Sequence, residues 1–182
     1  LMGCCGGTHA AERGGRGGGG GDSNGGGDGV CFNGEAKVLM ANGEVMSARD
    51  IRVGDVLATP SDGQVTVQAR LIQSEGPKEV VRLGELLISK PHGIFSAGQW
   101  IKPVNAIGAE IIETDIELYN FIVDDCKPFI VEGWSVASIG TFCEGTHDML
   151  RAKHQLWASK KIVDLFKMHP GWPNIRLDNC DV

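Results

Sequence analysis

Cys31 is the first residue after a glycine-rich opening segment, so its thiol follows directly on the Val30 carbonyl. A cysteine in that place closes a five-membered ring when its sulfur attacks the preceding carbonyl, and the amide becomes a thioester. Nucleophile and reactant share one covalent frame, so proximity is built in. Loss of the thiol proton activates the sulfur, and the departing amine must gain a proton. His92 suits that transfer because an imidazole changes charge near neutral pH. The Ser89 hydroxyl is suited either to bond a developing oxyanion or to orient the scissile amide. Each of the three also has a blander reading: a buried structural thiol, a satisfied core histidine, a serine bonding its local backbone. The position of Cys31 at the end of a flexible tract favours the nucleophile, and there the Val30–Cys31 bond is expected to be accessible.

The elements that must position these residues follow from composition and pattern. Residues 1–30 hold about half of the 27 glycines and have little apolar surface to bury, which predicts a disordered linker. Residues 31–140 read as one β-rich domain. Strands are expected at 36–40, 56–59, 65–73, 79–83, 86–89, 118–123 and 129–131. Turns are expected at Asn42-Gly43, Ser61-Asp62-Gly63, Gly76-Pro77 and Glu132-Gly133. Residues 48–57 and 103–112 echo each other, each placing an apolar residue and a glycine ahead of an acidic residue and a new strand. Residues 141–182 change character. Lys153 to Met168 carries Leu156, Ile162, Val163, Leu165 and Phe166 mostly on one stripe before His169-Pro170-Gly171, which predicts a helix packed on the β-domain. The tryptophans, Trp100, Trp134, Trp157 and Trp172, are expected in the core or docking the helix.

A net charge of -6 argues against a nucleic-acid partner. No apolar run is long enough to cross a bilayer. The six cysteines form neither a dense disulfide framework nor a zinc pattern, so no metal and no cofactor are expected. A monomer is expected. The start at Leu1 lacks a signal pattern and reads as a piece of something longer. The compartment stays open, with the cytoplasm as the default.

Four blocks then fall in order. Cys31-Phe32-Asn33-Gly34, followed by the run at 37–40, resembles the opening of Hint (hedgehog/intein) domains. Ile51-Arg52-Val53-Gly54-Asp55-Val56-Leu57 resembles their I-x-x-G-D-x-V segment. Leu87 to Phe95 looks like their T-x-x-H block, with Ser89 at the Thr position and His92 at the His. Tyr119 to Asp124 and Phe129 to Gly133 resemble the late strand pair. The run at 118–123 and the extension through Lys160-Lys161-Ile162-Val163-Asp164-Leu165 and Pro170-Gly171-Trp172 resemble the Vint subtype, found in proteins with von Willebrand factor type A domains. The resemblance implies an all-β, horseshoe-like fold with pseudo-two-fold symmetry and a C-terminal helix. It implies autoprocessing by an N-to-S acyl shift at Val30–Cys31, with Cys31, His92 and Ser89 as catalytic residues and the chain's own upstream polypeptide as substrate.

Inteins finish with a terminal His-Asn pair, but residues 134–140 hold neither His nor Asn. Splicing with excision is therefore not expected. Water, a small nucleophile or a protein acceptor would resolve the thioester. Asn120 and Asp124 are accessory candidates, and Cys143 is a candidate redox partner of Cys31. Two rivals stay open. Glu35-Ala36 and Ser89 depart from the family pattern, which fits a degenerate Hint domain kept as an interaction module. Cys31 with His92 also fits a cysteine peptidase acting in trans, although such enzymes place the cysteine on a helix N-terminus.

Overall fold

The computed structural model describes residues 30–74, 76–141 and 160–177. The predicted linker at 1–29, the first part of the predicted helix, Trp157 and Cys143 lie outside the described residues. Fourteen strands are described in chain order. They are β1 (Phe32–Asn33), β2 (Lys37–Leu39), β3 (Val45–Ser47), β4 (Val56–Ala58), β5 (Gln64–Gln73), β6 (Lys78–Leu83) and β7 (Leu86–Ser89). Then come β8 (Ile94–Ser96), β9 (Gln99–Ile101), β10 (Glu110–Thr114), β11 (Leu118–Val123), β12 (Phe129–Val131) and β13 (Trp134–Val136), and in the tail α1 (Lys160–Lys167) and β14 (Asn174–Leu177). One sheet runs β10-β6-β7-β1-β11-β5-β14, with β4 paired to β5. The other runs β3-β2-β12-β13-β8-β9. All described pairings are antiparallel except that of β14, which follows α1, with β5.

The second sheet is a palindrome of hairpins. β2–β3 hangs on β12, and β8–β9 hangs on β13. Each outer hairpin runs into a 3-10 turn, Ala48–Asp50 or Pro103–Asn105, and then into a new strand, β4 or β10. This is the internal echo of the sequence made physical, and it realises the expected pseudo-two-fold in an all-β fold with a C-terminal helix. The strand at 110–114 is the new strand that the echo predicts, whereas those at 45–47, 94–96, 99–101, 134–136 and 174–177 are not among the expected ones. Most are three residues long and half-exposed, too short to show a period.

β11 is buried at every position, because both of its faces are covered, and it reads as an unbroken apolar run apart from Asn120. Between the sheets Phe32, Phe121 and Phe129 meet at ring separations of 5.8 to 6.1 Å. Gly34 follows β1 where a Cβ would stand 2.7 Å from the Tyr119 ring, so only glycine lets β1 turn there. Glu132 and Gly133 both take positive φ, as the two-residue turn joining β12 to β13 requires. Along α1 the buried residues are Ile162, Val163 and Phe166, while Leu165, expected on the same stripe, is half-exposed. Trp134 packs half-buried against the main core and Trp172 against the cluster that holds α1, as expected, while Trp100 is half-buried beside Phe95.

Asn33 ties β1 to the start of β7. Its Oδ1 accepts from the Leu87 N–H at 2.9 Å and its Nδ2 donates to the Glu85 carbonyl at 3.3 Å. Asn33→Ala strips both partners, and urea denaturation is expected to show a loss of about 1–3 kcal/mol.

Candidate active site

Strand register alone assembles the site. Phe32 pairs with Ile88 of β7 and with Tyr119 of β11. One step back along two antiparallel ladders therefore sets Cys31 beside Ser89 on one side and Asn120 on the other. The Cys31 N–H donates to Ser89 Oγ at 2.9 Å, and the Ser89 N–H donates to the Cys31 carbonyl at 2.8 Å. From the opposite flank, Asn120 Nδ2 donates to the Val30 carbonyl oxygen. The Phe121 N–H holds Asn120 Oδ1 at 2.7 Å, which fixes the amide with its NH2 towards that carbonyl. Both ends of the Val30–Cys31 peptide bond are thus gripped by buried side chains.

Ser89 therefore takes the amide-orienting place, and the contact to the carbonyl oxygen belongs to Asn120, which sequence reasoning ranked only as an accessory. A signal was available: an Asn inside an otherwise apolar, fully buried strand must find partners for its amide. Asp124 does not join the site. It is exposed at the end of β11 and accepts from the Thr66 N–H at 2.6 Å. Asp55 also lies outside the site, closing a turn by accepting from the Arg52 N–H.

His92 sits on the turn after β7, its N–H bonded to the Ser89 carbonyl, and its ring lies 5.9 Å from that of Phe32. Nε2 is 2.8 Å from the Ala137 carbonyl oxygen. A carbonyl can only accept, so Nε2 carries a proton and the neutral ring has its lone pair on Nδ1, which is buried without a hydrogen-bond partner. Ala137 is itself pinned. Its N–H donates to the Gly93 carbonyl, and just beyond it the Ser138 and Thr141 hydroxyls meet at 2.6 Å. No sequence signal marks Ala137, because it acts through its backbone.

Burial governs the electrostatics. The Cys31 thiol is pushed up to about 12 by loss of solvent, offset in part by the charge of Lys78. His92 is pushed down from 6.5 to about 4 by the same cause, offset in part by the carbonyl of Ala137 and the backbone of Cys31. Near neutral pH the resting pair is a thiol and a neutral imidazole. Val30 is 7% and Cys31 1% exposed, which corrects the expectation of an accessible scissile bond: Val30 belongs to the folded domain, not to the linker. The Cys31 side chain packs with Val80 and Leu118, flanked by Leu87 and Ile112. A peptidase acting in trans would need an outside peptide to reach this enclosed sulfur, beside which Val30 is already seated on the acyl side. Among the described residues no group of three or more metal-ligating side chains occurs, and no helix is long and apolar enough to cross a membrane.

The family model described as Vint: Hint-domain matches residues 30–177. The chain belongs to this Hint-domain family, whose framework is that of self-processing domains. Among solved structures it is similar to a bacterial intein-like domain from Clostridium thermocellum at 16% identity, covering 59% of this chain and 97% of that one with a TM-score of 0.49. It is also similar to a DnaB intein from Synechocystis sp. PCC 6803 at 17% identity, covering 61% and 100% with a TM-score of 0.48. No curated protein matches the chain.

The buried imidazole carries a stability consequence. The unfolded chain takes up this proton near pH 6.5, the folded one only near pH 4. Between those values the unfolded state binds more protons, so the stability present above pH 6.5 is lost as pH falls towards 4, by about 3 kcal/mol. Urea titrations at pH 7 and 4.5 are expected to show this fall in the parent chain and a flatter profile in His92→Gln.

Proposed function

We propose that this domain processes itself by an N-to-S acyl shift at Val30–Cys31, giving a thioester through which the upstream polypeptide is cleaved off or transferred. The observation that supports it is the two-ended grip on this one peptide bond, with Asn120 Nδ2 on its carbonyl oxygen and Ser89 Oγ on its N–H. Ordinary backbone packing has no need to spend two buried polar side chains on one peptide unit.

The step balances as follows. A rotation about χ1 of Cys31 brings Sγ onto the Val30 carbonyl carbon, and the S–C bond forms as the oxygen takes up negative charge. Asn120, already aimed at that oxygen, stabilises the charge without reorganising. Ser89 Oγ, accepting from the scissile N–H, holds the amide in one orientation. The proton lost from Sγ ends on the Cys31 nitrogen, and His92 Nδ1, whose lone pair is uncommitted, relays it. The C–N bond then breaks, leaving a thioester and a free α-amine. Water, a small nucleophile or an amine or hydroxyl of another molecule resolves the thioester. The upstream polypeptide is expected to be that of a protein with a von Willebrand factor type A domain, and the domain is expected to act as a monomer.

An upstream reporter fused ahead of Leu1 tests this. Mass spectrometry is expected to find a fragment ending at Val30, increased by hydroxylamine or dithiothreitol and absent in Cys31→Ala. An intact chain under all conditions would favour the interaction module instead. Asn120→Ala is expected to slow release by about 10²- to 10³-fold. The acid limb of the rate is expected near pH 4 rather than 6.5, because protonation of Nδ1 removes the relay.

A further inference from the structure

Val30 supplies the acyl group of the scissile bond, and its side chain is buried in an apolar cluster distinct from the main core. The tail supplies half of its buried residues. α1 contributes Ile162, Val163 and Phe166, and β14 contributes Ile175 and Leu177. β14 reaches it by pairing in parallel with β5, register Ile175 to Leu71, and Ala69 and Leu71 of β5 belong to the same cluster. Val30 enters the same cluster from the acyl side of the scissile bond. Cys31, its neighbour, packs in a different cluster. The two sides of the scissile bond are therefore held apart by two separate apolar environments, one of them made in part by the extension.

We propose that α1 and β14 form the recognition pocket for the residue on the acyl side of the scissile bond, restricting it to a medium-sized aliphatic side chain. This rests on the self-processing reading above and adds its substrate preference. Val30 seated among Ile162, Phe166 and Ile175 fixes where its carbonyl oxygen lies, and hence whether Asn120 Nδ2 meets it. A smaller side chain leaves the carbonyl loose in the pocket. A charged one would lose its water among these apolar side chains. The tail thus positions the reacting carbonyl without touching it.

The upstream-reporter chain provides the test. Val30→Ala is expected to slow hydroxylamine-induced release by about 10- to 100-fold, and Val30→Asp to abolish it. Phe166→Ala is expected to slow release in the parent and to do so less when combined with Val30→Leu, whose larger side chain refills the space. Ile162→Val, a milder change that keeps the helix docked, is expected to shift the preference in the same direction. The proposal is overturned if Val30→Asp releases at the parent rate, or if Phe166→Ala and Ile162→Val lower every chain by the same factor whatever stands at position 30. A melting cycle separates this from the chemistry. Val30→Ala is expected to lower Tm by less in the Phe166→Ala background than in the parent, whether or not any chain cleaves. Independent Tm losses would remove the pocket, whereas coupled losses with no release would remove only the self-processing reading.

Discussion

β1 is two residues long, yet it lies between β7 and β11 in the middle of the larger sheet. Its two ladders decide everything at the site. A slip of one residue against either neighbour would turn Cys31 and Phe32 to the wrong faces, taking Phe32 out of its cluster with Phe121 and Phe129 and separating Val30 from Asn120. The aromatic core and the chemistry are therefore held by a single register. The side-chain bridge from Asn33 to Leu87 and Glu85 and the close approach of Gly34 to Tyr119 reinforce it.

The site is built from neutral groups because it is dry. Excluding water disfavours both the thiolate of Cys31 and the imidazolium of His92, and leaves Nδ1 of His92 buried without a partner, a position that costs about 1–3 kcal/mol. The same exclusion strengthens the one interaction aimed at developing charge, that of Asn120 with the Val30 carbonyl, since a fixed dipole acts more strongly where solvent does not compete. Charge is thus avoided in the resting state and accommodated only where the peptide bond would develop it.

Strand β14 and helix α1 extend this arrangement beyond the duplicated halves. They occupy the outer edge of the sheet beside β5 and cover the face on which Val30 rests. Without them Val30 would lose the apolar cover of Ile162, Phe166 and Ile175.

Much of this was legible in the chain itself. The β-rich class, the strands at 86–89, 118–123 and 129–131, the turn at Glu132-Gly133 and the echo of 48–57 in 103–112 follow from local alternation, turn residues and repetition. Cys31, Ser89 and His92 stood out because their types and order carry chemistry. The structure alone decided the remainder. Strand pairing made Asn120 the partner of the Val30 carbonyl, gave Ser89 the amide instead, left Asp124 outside, recruited the backbone of Ala137 and buried a junction expected to be open. Those outcomes depend on contacts between residues tens of positions apart, up to the 90 that separate Asn120 from Val30. A local pattern records what each segment prefers, but which segments meet, and which polar groups lose their water, is settled only when the two sheets close on one another.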